Sequence, residues 1–250
     1  MCRVNKWFIG AALVTTWLGA VYTFGSEPRI FESGDTQNSL IELFTSEGCS
    51  SCPPAEKWLS GFKSNPDLWK KTVPVAFHVD YWNHLGWRDP FSKPEFSQRQ
   101  QRYAAKWGGD SVYTPGFVVN GKEWRDWFSR TALPASSKTV GNLRVTLSEG
   151  EKLRATFAPQ SAQQHDLVLN VALLGNDLES DVKRGENTGR KFRHDFTVLG
   201  LAKTDMVHDG DHWTGSIALP NASGDDKPSA LAAWITENEI PIQATGGSLH

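Results

Sequence analysis

The sequence predicts an α/β domain followed by an all-β, sandwich-like domain. Between residues 38 and 130, short apolar runs alternate with amphipathic stretches, the pattern of parallel strands joined through helices. From residue 138 to 250 the pattern changes to short alternating runs divided by Gly, Asn and Asp turns, with little helical periodicity. Between the two lies TALPASSKTV (131–140), a linker by composition.

The elements follow in order. SLIELFT (39–45) is short and apolar, which suits a buried parallel strand. Cys49 and Cys52 follow in a Ser/Gly turn. Pro53 and Pro54 suit a first helical turn, and AEKWLSGFK places Trp58, Leu59 and Phe62 on one face. VPVAFHVD (73–80) is a second strand. Ser92 and Glu95 have capping-box spacing ahead of a helix carrying Phe96, Tyr103 and Trp107 on one face and ending at Gly108-Gly109. After Thr114-Pro115, GFVVNGKEW reads as a strand turning at Asn120-Gly121. The order β-CxxC-α-β-α-(Thr-Pro)-β-turn-β is that of a thioredoxin-like α/β domain. Residues 26–38 show no periodicity and read as a polar leader. In the second half LRVTLSE, EKLRATFA, DLVLNVALL, RKFRHDFTVL, HWTGSIAL and ALAAWIT read as strands.

Composition is that of an ordinary globular chain, 39% hydrophobic and 22% charged, and its eleven tryptophans are expected mostly in packing. A formal net charge of -2 gives no electrostatic basis for binding nucleic acid. Residues 1–25 differ from the rest. Arg3 and Lys6 precede the uncharged run WFIGAALVTTWLGAVYTF, with small residues Gly19, Ala20 and Gly25 toward its end. That is a signal peptide, or an N-terminal anchor if it stays uncleaved, and either places the remainder outside the cytoplasm, periplasmic or secreted. A membrane is a partner only in the uncleaved case. Cys2 lies ahead of the apolar run, so the exported part keeps only Cys49 and Cys52. A loop this small removes little chain entropy, which argues against a stabilising staple.

A CxxC where a strand feeds a helix serves redox chemistry. The helix N-terminus favours a thiolate at Cys49, and Cys52 sits one turn in, ready to resolve a mixed disulfide. With no second cysteine pair in the sequence, a structural zinc site is disfavoured. Thr114-Pro115, directly before a strand, is by itself a proline that starts an edge strand. Downstream of a CxxC in this order of elements it resembles the cis-proline loop of thioredoxin-like proteins, whose backbone faces the active-site disulfide. Glu42, in an otherwise apolar strand, is either a proton relay to Cys52 or a salt-bridged carboxylate. His78 and Asp80 alternate on the second strand, and with Trp82, Trp87, Arg88 and Asp89 they form either a substrate wall or a hydrogen-bonded brace. Asp80 and Asp89 fit the brace better. Arg184, Glu186, Asn187, Arg190 and His194 are explained by a turn and a solvated strand face.

ELFTSEGCSSCPPAE, FHVDYWNHLGWRDPF and VYTPGFVVNG together resemble a bacterial family of exported thioredoxin-like proteins, the domain of unknown function family 1223. The resemblance is strong over residues 38–122 and continues more weakly through RGENTGRKFRHDFTVLGL. It implies a thioredoxin-like fold and export; it assigns no activity.

The expected function is that of a thiol–disulfide oxidoreductase, with Cys49 as nucleophile, Cys52 as resolving thiol and Thr114-Pro115 as the aligning loop. Glu42 is the supporting acid. Its partners are protein thiols and disulfides of the cell envelope, and it needs no cofactor or metal beyond the redox-active Cys49–Cys52 disulfide. The alternatives are a Cu(I) metallochaperone using Cys49, Cys52 and His78, and a non-catalytic envelope interaction protein docking through its β-rich half. Ser50-Ser51 between the cysteines, and the two prolines after them, leave the direction of exchange open.

Overall fold

The computed structural model describes residues 27–129, 132–148, 152–161, 165–222, 224 and 226–250, so the expected signal peptide or anchor at residues 1–25 lies outside it. β2 (Ser39–Thr45) is buried at every position and pairs in parallel with β3 (Thr72–His78), from Ser39 opposite Thr72 to Thr45 opposite His78. Both faces of these strands are covered, which is why they read as continuous apolar runs. α1 (Pro53–Ser60) starts with its two prolines in the first turn and packs Ala55 and Leu59 against Ile41 and Leu43. α2 (Pro94–Lys106) lies on the opposite face, where Phe96 and Tyr103 meet Leu40, Phe44 and Phe77. The capping box does not form: Lys93 is the N-cap, Pro94 opens the helix, and the Ser92 hydroxyl donates to the Asp89 carbonyl at 2.8 Å. β4 (Gly116–Val119) runs antiparallel to β2 and turns into β5 (Lys122–Glu123). At that turn Asn120 and Gly121 have φ of 47° and 77°.

The fold class departs from the sequence expectation. β8 (Leu167–Gly175), β11 (Thr197–Asp205), β14 (Ala230–Glu237) and β15 (Ile240–Ser248) join the same sheet, whose eight strands run β15-β14-β8-β11-β3-β2-β4-β5. The join is a parallel contact of β11 with β3, where the Ala76 amide donates to the Phe196 carbonyl at 2.8 Å. The protein is therefore mostly β, with two α-helices among the described residues; it is not an α/β thioredoxin-like domain followed by a separate β-sandwich. The physical reason lies in what a strand pattern reports. It shows which faces are buried and leaves unspecified which strand fills an edge. β3 would otherwise offer a bare edge, and β11 takes it. One core crosses the join: Phe44, Val75 and Phe77 share a cluster with Ala172, Leu174, Val198 and Trp234.

A second, five-stranded sheet covers the other half of the large one. It comprises β1 (Arg29–Glu32), β6 (Gly141–Ser148), β7 (Lys152–Pro159), β13 (His212–Ala218) and β12 (Val207–Asp209), in that spatial order. Leu143, Val145 and Phe157 pack there on Leu169, Val171 and Ile235. β1 falls in the supposed leader; it is held by pairing with β6 and by burial of Phe31. RKFRHDFTVL is not one strand but two. Phe196 takes φ 56° and separates β10 (Lys191–His194) from β11, and β10 pairs with β9 (Leu178–Asp181) as a hairpin. No helix among the described residues is long and apolar enough to cross a membrane.

Candidate functional site

The chain leaves β2 at Thr45 and reaches α1 through residues 46–52. Cys49 and Cys52 form a disulfide with Cα atoms 5.5 Å apart, and both residues are fully buried. Two turn hydrogen bonds, from the Cys49 amide to the Ser46 carbonyl and from the Cys52 amide to the Cys49 carbonyl, shape the loop. The Ser51 hydroxyl lies 3.4 Å from Cys49 Sγ. Gly48 is required here: a Cβ in its place would come within 2.8 Å of Trp82 Cβ. The Thr114-Pro115 peptide bond is cis. Because Gly116 pairs with Phe44, that bond sits at the same end of the sheet as the cysteine loop. Trp82 links the two, its Nε1 donating to Thr114 Oγ1 at 2.8 Å.

Segment 182–190, between β9 and β10, closes over this loop. Asn187 is buried, and its side-chain amide donates to the carbonyls of Glu47 at 2.8 Å and Cys49 at 3.1 Å. Below it lies a cluster of charge. His194 donates from Nδ1 to Glu56 Oε2 at 2.7 Å and from Nε2 to Glu47 Oε1 at 3.0 Å. Trp87 Nε1 donates to the other oxygen of Glu47 at 2.6 Å, and Thr45 Oγ1 donates to Glu56 Oε1 at 2.6 Å. Asp89 accepts from the Glu47 and Phe91 amides and from His78 Nδ1, the last at 2.8 Å. His78 is buried too, its ring edge-on to that of His194 with centroids 5.0 Å apart.

The titration of these groups follows from the contacts. Burial alone would lower the pKa of His194, but the Glu56 charge and the hydrogen bonds of both glutamates raise it to about 10. For Glu56, burial pushes upward, yet His194 holds the carboxyl below its ordinary value. Asp89 is likewise lowered against the cost of burial, by His78 and by two backbone N–H donors. The charges of His194 and Glu56 thus compensate each other in a place where an isolated charge would be costly.

The other expected site residues separate by face. Glu42 points to the α2 side, where Arg99 Nε donates to it at 2.6 Å and the Tyr103 hydroxyl at 2.6 Å. It takes the salt-bridged reading, because period-2 alternation puts it on the opposite face from Thr45 and α1. Asp80 lies past the end of β3 and bonds Ser97 of α2, so it does not share the face of His78. Asp89 is a brace, as expected. His78 does not join the cysteines in a thiolate site; its neighbours are Asp89, Glu56 and His194.

Glu47 and Glu56 escape the sequence reading, which assigns Asn187 and His194 to a turn and a solvated strand face. Asn187 and His194 are buried rather than on a solvated face. Glu56 was detectable, since it follows Cys52 by four residues and so stacks on it one helical turn along. His194 carries no comparable local signal, being 138 residues from Glu56.

Fold and site together define a class: a mixed-sheet protein with a CxxC disulfide at a strand–helix junction and a buried histidine–carboxylate cluster beneath it. The profile of the family described as "Protein of unknown function (DUF1223)" matches residues 40–236, and the chain belongs to that family. Two solved structures resemble the whole fold. One is a crystal structure of a protein from Agrobacterium tumefaciens, 23% identical, covering 86% of this chain and 94% of its own, with a TM-score of 0.58. The other is HBP35 of Porphyromonas gingivalis, 18% identical, covering 86% of this chain and 76% of its own, with a TM-score of 0.59. A comparison with curated proteins gives no match.

Proposed function

We propose that the protein is an exported thiol–disulfide exchange protein acting on thiols and disulfides of other envelope proteins. The observation that carries this reading is the Cys49–Cys52 disulfide at the mouth of α1, with the cis Thr114-Pro115 bond at the same end of the sheet. In the reducing direction the Cys49 thiolate attacks a partner disulfide, forming a mixed disulfide and releasing one partner thiolate. Cys52 then attacks Cys49 Sγ, closing the Cys49–Cys52 bond and expelling the second partner thiolate, which takes up a proton. Two electrons have passed to the partner; the oxidising direction is the same path reversed.

A cavity of about 270 Å³ between the end of α2 and β4 supports a peptide partner. Trp107, Tyr113, Gly116 and Phe117 line it, on both sides of the cis bond. Its apolar wall, with Glu123 and Arg125 also lining it, suits one side chain of a peptide partner. Since both cysteines are buried, exchange requires segment 182–190 to move away. Export rests on the apolar N-terminal run with its preceding Arg3 and Lys6.

The test is a Cys52→Ser variant expressed in the native envelope. Mixed disulfides through Cys49 should accumulate on non-reducing gels and vanish in a Cys49→Ser, Cys52→Ser control. Their absence, with wild-type protein that exchanges no disulfide with a dithiol peptide, would remove the proposal.

A further inference from the structure

We propose that Glu56, His78 and His194 form a binding site for a divalent transition-metal cation, with zinc as its natural occupant. The site is distinct from the cysteines and stands whether or not they exchange disulfides. One ligand atom from each residue lies within 4.8 Å of the other two, all in the cluster beneath the cysteine loop. The edges of a tetrahedral shell with bonds of about 2.0–2.1 Å are roughly 3.3 Å, between the 2.7 Å separating His194 Nδ1 from Glu56 Oε2 and the 4.8 Å that bounds the set.

An independent observation points the same way. His78 Nε2 is buried and has no hydrogen-bond partner among the described residues. Its other nitrogen is committed: Nδ1 donates to the Asp89 carboxylate at 2.8 Å, which leaves Nε2 as a bare lone pair. The same imidazole belongs to the cluster in which His194 and Glu56 supply the remaining donors. A metal-bound imidazole usually gives its outer N–H to a carboxylate, which fixes the ring and raises its basicity. Both histidines have that carboxylate, Asp89 for His78 and Glu47 for His194. Thr45 Oγ1 holds the far oxygen of Glu56 in the same manner.

The ligand atoms would be His78 Nε2, His194 Nδ1 and a Glu56 oxygen. The proton now shared between His194 Nδ1 and Glu56 leaves to solvent as the cation takes its place. Two imidazoles with one carboxylate suit borderline cations such as zinc and cobalt and disfavour magnesium and calcium, which prefer oxygen alone. Three protein ligands leave one tetrahedral position for water.

The test uses the full chain with its disulfide intact, titrated with zinc or cobalt against a competing chelator. One ion per chain should bind, and magnesium or calcium in excess should not displace it. X-ray absorption of the zinc-loaded protein should show nitrogen and oxygen neighbours at about 2.0–2.1 Å and no sulfur at about 2.3 Å. The Cys49→Ser, Cys52→Ser variant should bind as the wild type does. Asp89→Asn should weaken binding by about 10–100-fold, and His78→Ala by more. Absence of stoichiometric binding, sulfur in the first shell, or a folded His78→Ala variant with wild-type affinity would each overturn the site. Should His78→Ala fail to fold, the absorption spectrum of the wild type decides alone.

Discussion

A single buried carboxylate on one face of the large sheet and a group of three on the other are built on opposite logic. Glu42, on the α2 face, meets one guanidinium and one phenol, and both of its oxygens accept. Arg99 in turn lies over the rings of Phe77, Tyr103 and Trp234, each about 5.3–5.4 Å away, so the pair ties β2, α2 and β14 together. On the α1 face, Glu47, Glu56 and Asp89 share two histidines, and one imidazole nitrogen is left bare. The first arrangement is closed and does mechanical work. The second is incomplete as a hydrogen-bond network, and it sits beneath a disulfide. A buried acid in an apolar strand is therefore a poor guide to chemistry until its face and its partners are known.

The largest expected effect comes from opening the closed pair. Glu42→Ala leaves Arg99 buried without its counter-charge and should cost about 3–5 kcal/mol in urea unfolding, whereas a Glu42→Leu, Arg99→Met double variant should recover most of it. A loss below about 1 kcal/mol would mean that the pair does not lock β2, α2 and β14 together. Next is the cover over the cysteines. Asn187→Ala removes a donor from the buried carbonyls of Glu47 and Cys49, the latter keeping the Cys52 amide, for a cost of about 1–3 kcal/mol, and should speed reduction of the disulfide by dithiothreitol severalfold. An unchanged rate would show that segment 182–190 does not guard the sulfurs.

A smaller effect is expected at Glu56. Its carboxylate, one turn beyond Cys52, disfavours a thiolate, so Glu56→Gln should stabilise the reduced pair and raise its potential, by about 30 mV for each tenfold gain. Equilibration with glutathione buffers measures this, and a lowered potential would reverse the sign of the argument. The smallest concerns Lys63, after α1, which pairs with Asp177 and Asp195 near the β9–β10 hairpin. The Lys63 hydrogen bond holds the Asp177 carboxyl below its ordinary 3.8. A depressed carboxylate contributes stability above its unfolded value, so this contribution is intact above pH 3.8 and fades as pH falls through the lower folded value. Asp177→Asn should cost at most about 1 kcal/mol, and less at about 1 M salt, as thermal unfolding would show.

Much of the first half was legible because its signals are local. Apolar runs marked β2 and β3, prolines marked the start of α1, and Asn120-Gly121 marked the hairpin. The joining of the halves was not legible. It rests on one parallel contact between Ala76 and Thr197, and nothing in VPVAFHVD distinguishes an edge that will be filled by a strand over a hundred residues away. The cluster was hidden for the same reason. Glu56 lay in plain view on the face of Cys52, but His194 looked like one more polar residue in a dense run. Its burial is decided by a hairpin folding onto a loop, which no periodicity encodes.

The continuous sheet also dictates an order of events during synthesis. A chain emerging from its N-terminus presents β2, the cysteines and β3 well before Asn187, His194 and β11 exist to complete them. Until then β3 has an open edge and the cysteine loop has no cover, so both are exposed to other strands and other thiols. The nascent protein thus passes through a sulfur-accessible stage that its finished form closes, and any helper acting on the cysteines meets them most easily in that interval.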